Sequence, residues 1–195
     1  LMKTKQELSL TSLRALVQSN PTLVTPRMTE YIPQAPTVKQ AAFLLLPVIE
    51  AFYGGQPGGG KSSALLMAAL QYVDVPGYSA LLLRRTYADL ALAGALMDRA
   101  RSWLAGTDAV WNEQRKIWRF PSGATLTFGY LENENDKYRY QGSEFQFVGF
   151  DEVSQFTETQ YRYLFSRLRR LTGSVVPLRM RSAGNPPTTA DGQWV

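Results

Sequence analysis

The sequence predicts an α/β fold with a mainly parallel central sheet flanked by helices, and three observations carry that prediction. A glycine-rich stretch, Gly55-Gln-Pro-Gly-Gly-Gly-Lys-Ser62, stands between a short apolar run and an amphipathic helical pattern. Apolar strand-like runs recur about thirty residues apart with helical patterns between them, the spacing that parallel connections need. A last run, Phe145-Gln-Phe-Val-Gly-Phe, closes on two adjacent acids, Asp151 and Glu152.

Taken in order, residues 3–18 carry Leu8, Leu13, Leu16 and Val17 at helical spacing, and Pro21, Pro26, Pro33 and Pro36 mark an irregular connector. Residues 1–35 therefore read as an N-terminal helix and connector, and 36–195 as the domain itself. A short helix is expected from Thr37 through Ala41, Phe43, Leu44 and Leu45 until Pro47 interrupts it, then a buried strand over about 48–53. The helix after the glycine loop should run over about 61–73, with Leu65, Ala69, Tyr72 and Val73 on one face. Pro76-Gly77 ends it, and Ser79–Leu83 reads as a strand covered on both faces. Thr86 caps one further helix carrying Leu90, Ala93, Met97, Ala100 and Leu104. Lys116–Phe120 and Thr125–Phe128 flank Pro121-Ser-Gly-Ala124 and predict an antiparallel hairpin inserted in the parallel plan or at its edge. The polar stretch 132–137 should lie at the surface. After the acids, Thr157 and Gln160 predict a capping box, with Tyr161, Leu164, Phe165 and Leu168 as the buried stripe of its helix. Val175–Arg181 reads as a fourth parallel strand leading to Ser182-Ala-Gly-Asn-Pro186.

Composition narrows the chemistry. The 195 residues hold 21 basic and 16 acidic side chains, a formal charge of +5, and no Cys or His. That removes disulfides, thiol nucleophiles, imidazole bases and the usual zinc sites. Hydrolysis would have to run through carboxylates, a metal and cations. No signal peptide is evident, and the run Ala41–Ile49 is far short of the roughly 20 residues a membrane span needs. An intracellular protein free of the membrane is expected.

The glycine stretch fits G-x-x-x-x-G-K-[ST] in the setting that gives the motif meaning, after a strand and before a helix. Gly55, Gly58, Gly59 and Gly60 let backbone N–H groups close around phosphate oxygens. Lys61 is placed for the β- and γ-phosphates, Ser62 for Mg²⁺, and Ser63 continues the same helix start. Asp151 is then the acid expected to hold Mg²⁺, and Glu152 the one that orients water. Asn185 follows another strand and would reach the same carboxyl edge of the sheet. Gln40 is either an exposed helix residue or, with its paired donor and acceptor, a reader of an adenine edge. Phosphoryl transfer also needs a cation beyond the loop lysine, often an arginine from another subunit. Arg139 is the first choice, with Arg84, Arg85 and Arg101 as competitors. Arg162, Arg167, Arg169, Arg170, Arg179 and Arg181, with no acid among them, read either as a polynucleotide track or as a solvated face. Tyr138 and Tyr140 stack on bases or pack.

The ordered set Pro36-Thr-Val-Lys-Gln40, Phe52–Ser62, Leu82-Leu-Arg-Arg-Thr86, Tyr140–Glu152 and Gly184-Asn-Pro186 resembles the ATPase domain of tailed-bacteriophage large terminase subunits. The resemblance implies a RecA-like fold and an ATP- and Mg²⁺-dependent motor that moves double-stranded DNA into a procapsid. It implies Gln40 at the adenine, Lys61 and Ser62 at the nucleotide and metal, Asp151 at the metal, Glu152 as catalytic glutamate and Asn185 in a coupling motif. The implied partners are the portal protein, a small terminase subunit and further copies of the chain in a ring, located in the host cytoplasm and transiently at the portal vertex. Some relatives carry an arginine inside the phosphate loop where this chain has Gln56 and Pro57. The nuclease domain that follows in the family is not expected within these residues. Two other readings stay open: a helicase-like remodelling ATPase, which would separate strands, and a nucleotide-gated assembly protein, which would bind ATP without turnover.

Overall fold

The computed structural model describes residues 25–55, 58–185 and 193–195. The expected helix at 3–18 and the loop positions Gln56 and Pro57 lie outside them.

Among the described residues the chain builds one seven-stranded sheet. Its elements in order are α1 (Val38–Leu45), β1 (Glu50–Gly54), α2 (Lys61–Leu70), β2 (Ser79–Arg84), α3 (Tyr87–Ala91), α4 (Leu96–Leu104), β3 (Val110–Asn112), β4 (Ile117–Arg119), β5 (Thr125–Tyr130), a 3₁₀ helix (Glu134–Tyr140), β6 (Phe147–Asp151), a short 3₁₀ turn (Val153–Gln155), α5 (Glu158–Phe165) and β7 (Arg179–Gly184). The strand order is β1-β7-β6-β2-β5-β4-β3. The first five are mutually parallel, β4 adds antiparallel to β5, and β3 adds antiparallel to β4. The predicted hairpin is therefore present, and its second strand is also a member of the parallel sheet.

Side-chain alternation divides the core into two layers, as the two-residue period of a strand requires. Ala80, Leu82 and Phe147 join α2 and α4 on one face, while Leu81, Leu83, Val148 and Phe150 join Leu164 of α5 on the other. In the middle of β6, Gly149 has no side chain because Leu82 and Leu65 fill the space: a Cβ there would lie 2.6 Å from Leu82 Cδ2. The capping boxes of α1 (Thr37 with Gln40) and α5 (Thr157 with Gln160) are both formed.

Several expectations need correcting. The single helix after Thr86 is two, because the backbone leaves α at Leu92 (ψ 148) and Gly94 takes φ +76. β1 is an edge strand that starts at Glu50 and not a buried one from residue 48: Phe52 within it, and Val48 and Ile49 before it, are about half exposed. The fourth parallel strand starts at Arg179 and not Val175, which is fully exposed. Pro177 explains the shift, since β7 lies between two partners and a proline there would have no N–H for the ladder. Phe165 faces outward, whereas Asp136 and Lys137, read as surface residues, are buried, and so is Gln40, which removes the exposed one of its two readings.

Candidate active site

Strand order assembles the site from residues far apart in the chain. β1, β7 and β6 lie side by side with Gly54 opposite Gly184 and Ala183 opposite Asp151. The glycine loop, Asn185 and the acid pair thus leave the sheet at one edge, where open α/β sheets bind ligands.

In the loop, Gly58 and Gly60 hold φ of +81 and +70, conformations that cost a side chain about 1–2 kcal/mol. Gly60 caps α2 with no side-chain hydrogen bond, so the first N–H groups of the helix face outward for an anion. Gln40 lies behind this turn. Its Oε1 accepts from the Thr37 N–H at 2.9 Å and its Nε2 donates to the Gly60 carbonyl at 3.0 Å, tying α1 to the loop. A Cβ on Gly60 would meet Gln40 Nε2 at 2.7 Å.

Lys61 Nζ donates to Gly55 O and to Asn185 Oδ1, each at 3.0 Å. Ser62 Oγ lies 3.2 Å from both oxygens of Asp151. Where β2 ends beside β6, Arg84 pairs with the same carboxylate at 3.1 Å. Burial pushes the Asp151 carboxyl above the usual carboxylate range; Arg84 opposes that shift and neighbouring Glu152 adds to it. Glu152 turns off the strand in a left-handed conformation, φ 56 and ψ 55. The turn packs tightly on β7, where a Cβ on Gly184 would stand 3.3 Å from Val153 N and 3.5 Å from Glu152 Cα. The Asn185 N–H points at Glu152 Oε2 across 3.4 Å. Asn185 therefore touches the loop lysine through its side chain and the acid turn through its backbone.

These groups surround a cavity of about 390 Å³, lined by residues 58–60, Lys61, Ser62, Ser63, Glu152 and Asn185. One further lining residue, Arg99 of α4, was not singled out from the sequence. Asp151 and Ser62 offer hard oxygen donors, which suit Mg²⁺ when phosphate and water complete its shell. Among the described residues no cluster of three or more His, Cys, Asp or Glu could hold a metal without such help.

The other arginines go elsewhere. Arg139 pairs with Asp136 at 2.9 Å, sits 4.6 Å over the Tyr130 ring and borders a separate cavity with Arg115 and Lys116. Arg85 donates to Leu131 O, and Arg101 pairs with Glu113. The arginine series 162–181 forms no single track: Arg181 is fully buried, Arg179 bonds Gln71 and Arg162 pairs with Glu158. No described helix is long and apolar enough to cross a membrane.

Comparison with known folds follows the same lines. The large terminase of a thermophilic bacteriophage superposes with a TM-score of 0.60 at 14% identity, covering 78% of this chain and 40% of its own. It has also been solved in complex with ADP (TM-score 0.54, 12% identity, 70% and 33% covered). The HK97 bacteriophage large terminase gives 0.60 at 11% identity, with 78% and 33% covered. The large terminase ATPase domain of Thermus phage P74-26 gives 0.55 at 14% identity, with 82% and 69% covered. The chain thus matches less than half the length of the first two proteins, and these likenesses establish the RecA-like fold. No curated protein matches its sequence. The family model "Terminase large subunit, T4likevirus-type, N-terminal" matches residues 52–175, more than half of the chain and every cavity-lining residue except Asn185. By that match the chain belongs to the T4likevirus-type terminase large subunits, as their N-terminal domain.

Proposed function

We propose that this domain is a Mg²⁺-dependent ATPase that drives double-stranded DNA into a viral procapsid. The observation that carries the reading is the meeting of the phosphate loop and Glu152 at one cavity, with Asn185 in contact with both and Asp151 joined to the loop through Ser62. The ADP complex of the thermophilic phage relative supports the nucleotide, and family membership supports the packaging role.

In this reading the open N–H groups of the loop and of α2 take the phosphate oxygens. Lys61 exchanges its bonds to Gly55 O and Asn185 Oδ1 for β- and γ-phosphate oxygens. Ser62 and Asp151 would hold Mg²⁺, whose charge neutralises the phosphate oxygens as the bond to the leaving group breaks. Arg84 opposes the burial that raises the Asp151 carboxyl and so favours the ionised form that a metal needs. Glu152 orients the attacking water and accepts its proton. Asn185, freed from Lys61 when phosphate is bound and recaptured after release, links occupancy of the cavity to the end of β7. Gln40 would reach adenine through the second lone pair and second N–H of its amide. Portal protein, small terminase subunit and a ring of further copies complete the proposed assembly, formed at the procapsid portal vertex from a pool in the host cytoplasm.

The test is turnover by Glu152→Gln. It should bind ATP with near wild-type affinity and hydrolyse it at least about 100-fold more slowly, the usual worth of a positioned base. Turnover close to wild type would remove Glu152 from the reaction.

A further inference from the structure

Arg99 lines the same cavity as the phosphate loop and Glu152. It leaves the first turns of α4, donates from Nη1 to Ser63 Oγ at 2.8 Å and from Nη2 to the Gly94 carbonyl at 3.3 Å. Its Nε is buried and has no hydrogen-bond partner. Nor does any carboxylate among the described residues lie within ion-pair distance, whereas Arg84, Arg101 and Arg139 each pair with an acid. A guanidinium desolvated on one side and held without an anion is costly unless an anion arrives. Its two bonds go to a hydroxyl and a carbonyl, and both leave its charge uncompensated.

The position also selects which part of an anion it meets. Ser62 and Ser63 are successive residues of α2, so their side chains diverge by about 100° around the helix. Ser62 faces Asp151, and those two residues would hold Mg²⁺ and bring its charge to the phosphates on that side. Ser63 faces Arg99, on the side away from Asp151.

Resting on the nucleotide reading above, we infer that Arg99 is a second cationic contact for the nucleotide, supplied by the same chain and directed at the α- and β-phosphates. It adds to binding of di- and triphosphate alike and does not sense the terminal phosphate. The sequence gives no sign of this, because Arg99 lies in an ordinary amphipathic helix and reaches the cavity only through the break at Gly94.

Calorimetric titration with MgADP and with a non-hydrolysable MgATP analogue tests it. Arg99→Ala should weaken both by about tenfold or more, as expected for a charge-assisted hydrogen bond, and by the same factor. Arg99→Lys should recover part of the loss. Unchanged ADP affinity in a variant with wild-type melting would overturn the proposal and leave Arg99 as a prop for the Gly94 loop. A loss confined to the triphosphate analogue would overturn it too, placing Arg99 at the γ-phosphate. If Arg99→Ala does not fold, Arg99→Gln keeps a donor for Gly94 without the charge, and the same two affinities decide. Wild type and Lys61→Ala serve as controls: binding by the first and not the second upholds the nucleotide site whatever Arg99 does, and no binding by wild type sinks both readings.

Discussion

Glu152, the proposed base, shows what a sequence pattern conveys about a site residue and what it does not. An acid pair after an apolar run was readable, and the structure sets its two members in different surroundings, Asp151 against Ser62 and Arg84 and Glu152 against Asn185. The left-handed turn that aims Glu152 into the cavity was not, because glutamate has no preference for φ 56 and the turn is imposed by packing on Gly184. Such a conformation stores on the order of 1 kcal/mol, and strain of this kind collects at functional sites. Glu152→Gly is therefore expected to melt no lower than wild type by calorimetry while losing ATP turnover; a clear drop in melting temperature would show that the carboxylate stabilises the turn. Lys61, Ser62 and Asn185 were legible for a related reason: each sits at a strand or helix end whose position the motif fixes. Arg99 was not, since its partner Ser63 is brought to it only by packing of α4 on α2, and Gln40 was singled out without its bond to Gly60, which the packing of α1 on α2 supplies.

Helices and strands followed local signals wherever one signal dominated. The capping boxes placed the starts of α1 and α5, and the Pro121-to-Ala124 turn placed the hairpin. Where two signals competed, burial decided. Apolar Val48 and Ile49 belong to no strand because the turn over residues 46–49 is fixed instead by Arg181 of β7. That side chain is fully buried, and its Nη atoms donate to the carbonyls of Leu46, Val48, Ile49 and Met180. Burial lowers its pKa to about 10, with Arg179 adding to the effect, so it stays charged at neutral pH. Its work is to set where β1 begins, and so where the phosphate loop leaves the sheet. Arg181→Ala would leave a cavity and strand those carbonyls, costing roughly 3 kcal/mol or more in urea denaturation. A loss below about 1 kcal/mol would mean that water replaces the guanidinium without penalty.

At the level of the whole domain, strand order is the feature least visible in the sequence, and it brings Gly54, Gly184 and Asp151 to one edge. It also leaves Arg139 outside the cavity of its own chain, half exposed and anchored by Asp136 and Tyr130. If Arg139 stabilises charge in the reaction, the phosphate it serves belongs to another copy. Homogeneous Arg139→Ala should then bind MgATP normally and lose about 100-fold or more of its turnover, as trans arginines do elsewhere. Glu152→Gln is inactive for a different reason, since it keeps Arg139 and lacks the base. In a mixture of the two, some interfaces pair an intact Glu152 with a neighbour's intact Arg139, so ATPase activity should reappear and peak near equal proportions. A mixture as inactive as either variant alone, at concentrations where wild-type turnover per chain has reached its plateau, would exclude Arg139 as a donor between subunits.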